Sequence, residues 1–99
     1  MAVVVMQRFS GGDRDAAIAR SKRAKVFFEK AGAEWLRLGE IHTGAHAGQR
    51  LMSIRWPDWA TYGKAMQSLA GDPEFQKLLA ESRANTKLEE RTIVVGIDL

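Results

Sequence analysis

The sequence predicts an α+β fold in which strands and helices alternate as βαββαβ, with the helices on one face of a four-stranded antiparallel sheet. Three observations predict it. A β-branched run opens the chain at residues 2–9 and another closes it at residues 92–99. Between them, two stretches switch to the 3.6-residue period of a helix, the first preceded by Asp13 and the second opened by Asp58. The segment separating those helices carries two further strand-like runs joined by the glycine-rich residues 43–48.

Residues 2–9 (AVVVMQRF) are apolar on both faces at first, as in a central strand covered on both sides. Ser10-Gly11-Gly12 breaks the run, and Asp13 is placed to cap a helix. Over residues 15–31, Ala17, Ala24, Phe28 and Ala31 share a face with Phe27 beside them, and Gly32 follows as a C-terminal glycine. Residues 34–43 read as a strand on Trp35, Leu36, Leu38 and Ile41, with Gly39 as a candidate bulge. Residues 50–56 (RLMSIRW) are its hairpin partner, with Met52, Ile54 and Trp56 on one face. Pro57 and Asp58 fall in the first turn of the next helix, where proline loses no hydrogen bond and a carboxylate suits the positive end. Trp59, Tyr62, Met66 and Leu69 then recur as a core stripe. Gly71-Asp72-Pro73 breaks and restarts the helix, after which Phe75, Leu78 and Leu79 face inward. Residues 92–99 (TIVVGIDL) form the last strand and are expected to run to the final residue.

Right-handed crossovers place both helical regions on one side of the sheet, which is the ferredoxin-like arrangement. No repeat or linker interrupts it, so residues 1–99 are expected to form a single domain. The sheet's other face then needs a cover. Depending on strand parity it receives Val3 and Val5 or Val4 and Met6, and from the last strand Val94 or the set Ile93, Val95 and Ile97. An apolar patch of this kind marks an interface, and the expected partner is a second copy, in a homodimer formed through the sheet faces.

Composition excludes several functions. The chain has no cysteine, hence no disulfide, thiolate metal site or cysteine nucleophile. Its start has no basic n-region, and no apolar run approaches the roughly 20 residues of a membrane helix, so a cytoplasmic protein with no membrane contact is expected. The net charge of +3 raises the question of nucleic acid. The basic residues Arg14, Arg20, Lys22, Arg23, Lys25 and Lys30 recur at helical spacings, however, and are read as a solvated face opposite the apolar stripe. The central strands also offer no aromatic platform of the kind that stacks RNA bases, so no nucleic-acid partner is expected.

The strand ending in Trp56, the Pro57-Asp58-Trp59-x-x-Tyr62 pattern and the Asp72-Pro73-Glu74-Phe75 restart resemble the second half of the dimeric α+β barrel proteins, the NIPSNAP-like and antibiotic-biosynthesis-monooxygenase-like branches above all. The motif covers residues 56–79 and the element order covers the whole chain. The resemblance implies a homodimer with a barrel-like pair of sheets and a cleft between helices and sheet. Its members include haem-degrading and quinol-type monooxygenases and muconolactone-isomerase-like enzymes. The haem-degrading pattern implies an asparagine late in the first strand, a tryptophan in the helix and a histidine past the helix break. Gln7, Met66 or Leu69, and Leu79 or Ala80 stand near those positions, and no histidine follows His46. No cofactor is therefore expected.

A cofactor-independent oxygenase acting on an electron-rich phenol needs an apolar pocket and a group that holds the substrate oxyanion. Trp56, Trp59 and Tyr62 are the candidates to line the pocket, with His42 or Arg55 to polarise the substrate. His42 and His46 lie in a strand end and loop rather than on a helix, and no metal site is expected of them or of Glu40. No phosphate-binding glycine motif occurs. The expected function is a small dimeric α+β barrel protein that binds an apolar or aromatic molecule, as a cofactor-independent monooxygenase or isomerase would. The alternative is a non-enzymatic dimeric interaction module.

Overall fold

A computed structural model describes residues 1–99. Its elements are β1 (Val3–Ser10), α1 (Arg14–Lys30), β2 (Trp35–Glu40), β3 (Arg50–Trp56), α2 (Trp59–Ala70), α3 (Pro73–Asn85) and β4 (Lys87–Val95). The strands make one antiparallel sheet in the order β2-β3-β1-β4. The continuous apolar run of β1 therefore sits inside the sheet, hydrogen-bonded on both edges.

Each helix starts where a carboxylate satisfies its free amides. Asp13 accepts from the Ala16 amide at 2.9 Å, Asp58 from Thr61 at 2.7 Å, and Asp72 from Glu74 at 3.0 Å. Because Asp58 is the cap, Pro57 stands just before α2 and not in its first turn. Gly32 ends α1 at φ +116, and a Cβ there would lie 2.7 Å from the Thr61 methyl, so this position takes glycine on two grounds.

Register settles which residues face the helices. Val3 and Val5 pair with Trp56 and Ile54 on one side and with Val95 and Ile93 on the other. All of these share the helix-covered face, where Val3, Val5, Ile54 and Trp56 are buried with Ala24, Leu36, Ala65 and Leu78. Val4 and Met6 take the open face, beside Arg55, Ser53, Val94 and Thr92. Trp35 is there too, under the Arg37 guanidinium at 4.2 Å. Only 13 of the 99 residues are buried, because nothing in the chain covers this side.

Three elements depart from the sequence reading. β2 ends at Glu40, since the Ile41 amide donates to Gln49 at 2.8 Å and the Gly48 amide returns to Ile41 at 2.7 Å, closing the hairpin loop. Gly39 is not a bulge; it pairs regularly with Leu51. β4 begins at Lys87, five residues earlier than expected, and stops at Val95. Its first half, KLEER, shows little apolar content because it is an edge strand, and charge protects such edges. The bulge of the sheet lies here, where the β1–β4 register shifts between Arg8 and Phe9 and skips Glu89. Trp59, assigned to the core stripe, is 52% exposed.

Three carboxylates are held below the usual range. A hydrogen bond from Arg14 lowers Glu40, the Thr61 amide lowers Asp58, and the Ser10 hydroxyl, 2.6 Å away, lowers Glu89. A depressed folded-state pKa contributes stability that is present above the unfolded value and lost as pH falls through the folded one. Thermal midpoints are therefore expected to hold down to about pH 5 and to fall below it. The fall should be shallower in the triple variant Glu40→Gln, Asp58→Asn, Glu89→Gln. Identical acid profiles would refute the assignment.

Candidate functional site

The pleat of the sheet aims Gln7 and Phe9 of β1 and Met52, Ile54 and Trp56 of β3 at the helices. Facing them, α1 presents the small residues Ala17, Ser21 and Ala24, which leave room that leucines would fill. The result is a cavity of 310 Å³ between helices and sheet. That lies at the lower end of the range for small-molecule sites. Fifteen of its 23 lining residues are hydrophobic.

Its aromatic wall is built by edge-to-face contacts. Phe28 meets Trp56 at 6.1 Å and Phe75 at 5.3 Å between centroids, and Trp56 meets Tyr62 at 5.8 Å. The indole Nε1 of Trp56 is buried without an acceptor. On the exposed side, Arg91 of β4 donates to the Tyr62 hydroxyl of α2 at 2.5 Å, tying the sheet edge to that helix. Both residues line the cavity.

The five residues singled out from sequence do not form one cluster. Trp56 and Tyr62 line the cavity. Trp59 stacks edge-on against Tyr62 at 6.0 Å but stays outside it. Arg55 points to the opposite face of the sheet, where it pairs with Glu34 at 3.3 Å. His42 is exposed in the hairpin loop, in a shallow groove with Arg14, Glu40 and Arg50. No three histidine, aspartate or glutamate side chains converge as metal ligands would. Leu79 lines the cavity where the haem-degrading pattern implies a histidine, and no histidine lines it elsewhere, so the lining does not fit a haem ligand set.

The remaining polar lining comes from Gln7, Ser21, Ser82, Thr86 and four arginines, with no acidic residue among them. Apart from Gln7, the sequence reading gives none of these a place in a site. It groups Arg20 with the solvated face of α1, whereas the structure holds this side chain half-buried in the cleft. A signal for that is present: Arg20 stands three residues after Ala17 and four before Ala24, within the apolar stripe. Arg91 leaves no such signal, because its position depends on a strand that starts earlier than its apolar content shows.

The four-stranded antiparallel sheet with its helices on one face is a ferredoxin-like α+β fold. Solved structures share it at low identity. SnoaB, a cofactor-independent oxygenase from Streptomyces nogalater, aligns at 17% identity with a TM-score of 0.77, covering 99% of this chain and 95% of its own. A putative antibiotic biosynthesis monooxygenase from Chloroflexus aurantiacus aligns at 15% identity and TM-score 0.67, covering 99% and 95%. A NIPSNAP family protein from Agrobacterium tumefaciens aligns at 13% and 0.63, covering 97% and 94%. No protein-family model and no curated protein sequence matches the chain.

Proposed function

We propose that the protein binds an aromatic molecule in the helix–sheet cleft and oxygenates it without a cofactor, as a homodimer whose open sheet faces meet. The observation that carries this reading is the cavity itself: 310 Å³, walled by Phe28, Trp56 and Phe75, with the Tyr62–Arg91 pair at its exposed side. A phenol seated there would place its oxygen against that pair. An adjacent guanidinium favours the phenolate form. The lining offers no histidine or carboxylate to take the proton, which would leave to solvent. The phenolate passes one electron to O₂, the reduced oxygen bonds to a ring C–H carbon, and the hydroperoxide loses water. One oxygen atom ends as the new carbonyl of a quinone and the other in water, so the phenol and O₂ balance without a further reductant.

The test is titration with 1-naphthol, followed by amide chemical shifts and by oxygen uptake. Saturable shifts at cleft residues with naphthoquinone formation are expected. Shifts confined to the open sheet face, or none, would overturn the proposal. Tyr62→Phe removes one oxyanion donor and is expected to lower kcat about 100-fold while binding persists. The second reading, a dimeric binding module without turnover, is favoured by the lack of a base in the lining. Saturable binding with no oxygen uptake would select it.

A further inference from the structure

The chain's arginines divide by location. Outside the cleft, Arg8, Arg23 and Arg55 meet Glu90, Glu81 and Glu34 at 3.5, 2.8 and 3.3 Å, and Arg14 meets Glu40. Arg37 lies over Trp35. The four that line the cleft, Arg20, Arg50, Arg83 and Arg91, meet no carboxylate. Arg50 is the chain's one buried charged side chain, 9% exposed. One of its amino groups donates to the carbonyls of Gly11 and Gly12, and its other donors have no protein partner. Glu40, opposite Arg50 on β2, lies within reach of its charge but bonds Arg14 instead, so the Arg50 guanidinium has no direct ion pair. Arg83 sits in the last turn of α3, where the helix dipole suits a cation, yet it makes no bond to a carbonyl there.

Three of these arginines gather at one end of the cleft. A Cβ on Gly12 would lie 2.6 Å from the Asn85 carbonyl, so the carbonyls that hold Arg50 adjoin the end of α3 that carries Arg83. Arg20 precedes Phe28 by eight residues of α1, and Arg83 follows Phe75 by eight of α3. Each interval is about 12 Å of helix. Arg50 and Trp56 stand at opposite ends of β3, paired with Phe9 and Val3. The cleft therefore carries three arginines at one end and, at the aromatic end, Arg91, whose guanidinium is bonded to the Tyr62 hydroxyl.

We infer that the ligand is an aromatic carboxylate, its rings against Phe28, Trp56 and Phe75 and its carboxylate among Arg20, Arg50 and Arg83. This rests on the reading of the cleft as a ligand site and adds the ligand's charge and orientation. The experiment compares 2-naphthoate with 2-naphthamide, near-isosteres that differ in charge, by calorimetry on the full chain with amide shifts to locate each. Naphthoate is expected to bind at least about tenfold more tightly, since charge-assisted hydrogen bonds are the stronger class. Its shifts should reach the Gly11 and Gly12 amides. Arg83→Gln and Arg20→Gln are expected to erase most of that advantage while naphthamide binding holds, and Lys22→Gln, outside the cleft, to leave both unchanged. Arg50→Gln also frees two carbonyls and can cost folding, so the comparison rests on the Arg83 and Arg20 variants. Equal affinities for acid and amide would overturn the inference and leave the cleft a ligand site. An acid advantage that survives both substitutions would likewise overturn it, and binding of neither probe would remove the cleft reading as well.

Discussion

Trp56→Ala is expected to destabilise the fold by about 3–5 kcal/mol, a large share of the roughly 5–15 kcal/mol available to a small domain. The side chain is fully buried and joins three parts of the core. It lies at the end of β3 beside Val3, meets Phe28 of α1 edge-on, and meets Tyr62 of α2 in the same way. Alanine would leave a void next to a cavity that already exists, and the site has little freedom to collapse. A drop in thermal midpoint of ~15 °C or more is expected for a chain of this size. Trp56→Phe is the informative companion. It keeps the edge contacts and removes an indole N–H that has no acceptor, so the lost area and the relieved donor partly cancel. Its cost is expected to stay near 1 kcal/mol. Urea midpoints of the two variants decide the matter, and equal losses would show that ring size, not the void, sets the stability.

Met6→Glu is expected to turn a dimer into a monomer. Met6 lies on β1, an interior strand, and faces the open side beside Ser53 and Thr92, with Val4 and Val94 one pleat away. In an isologous interface every substitution appears twice, so the variant brings two carboxylates into a patch that the proposed dimer keeps dry. Like charges juxtaposed in such a patch cost several kcal/mol, or about 100-fold or more in dimer affinity. Light scattering should give twice the 11.0 kDa chain mass for the parent protein and the single mass for the variant. A parent that scatters as a monomer would contradict the dimer proposal outright, as would a Met6→Glu protein that remains dimeric.

The fold is legible in the sequence where local chemistry and burial agree. The capping residues Asp13 and Asp72, the Pro57-Asp58 start of α2, the alternation of β3 and the apolar run of β1 each specify one element, and each of those elements forms where these residues stand. The failures share a cause. β4 is an edge strand whose first half is charged, and its pairing to β1 is a tertiary fact that the period of KLEER does not announce. Trp59 carries the spacing of a core residue but precedes the covered part of α2, so its ring stays half in solvent. The candidate site is legible only in its aromatic half. Trp56 and Tyr62 are recognisable because size and spacing mark them, whereas Arg50 and Arg91 reach the cleft through register. His42 and Arg55 carry the right chemistry for polarising a phenol but fall on a loop and on the far face of the sheet.

A crystal structure of the protein grown with 1-naphthol tests the proposed cleft most directly. The ring system is expected between α1, α3 and the sheet, against Phe28, Trp56 and Phe75, with the naphthol oxygen within hydrogen-bonding distance of Tyr62 or Arg91. A cleft filled by its own side chains, with the naphthol elsewhere, would contradict it.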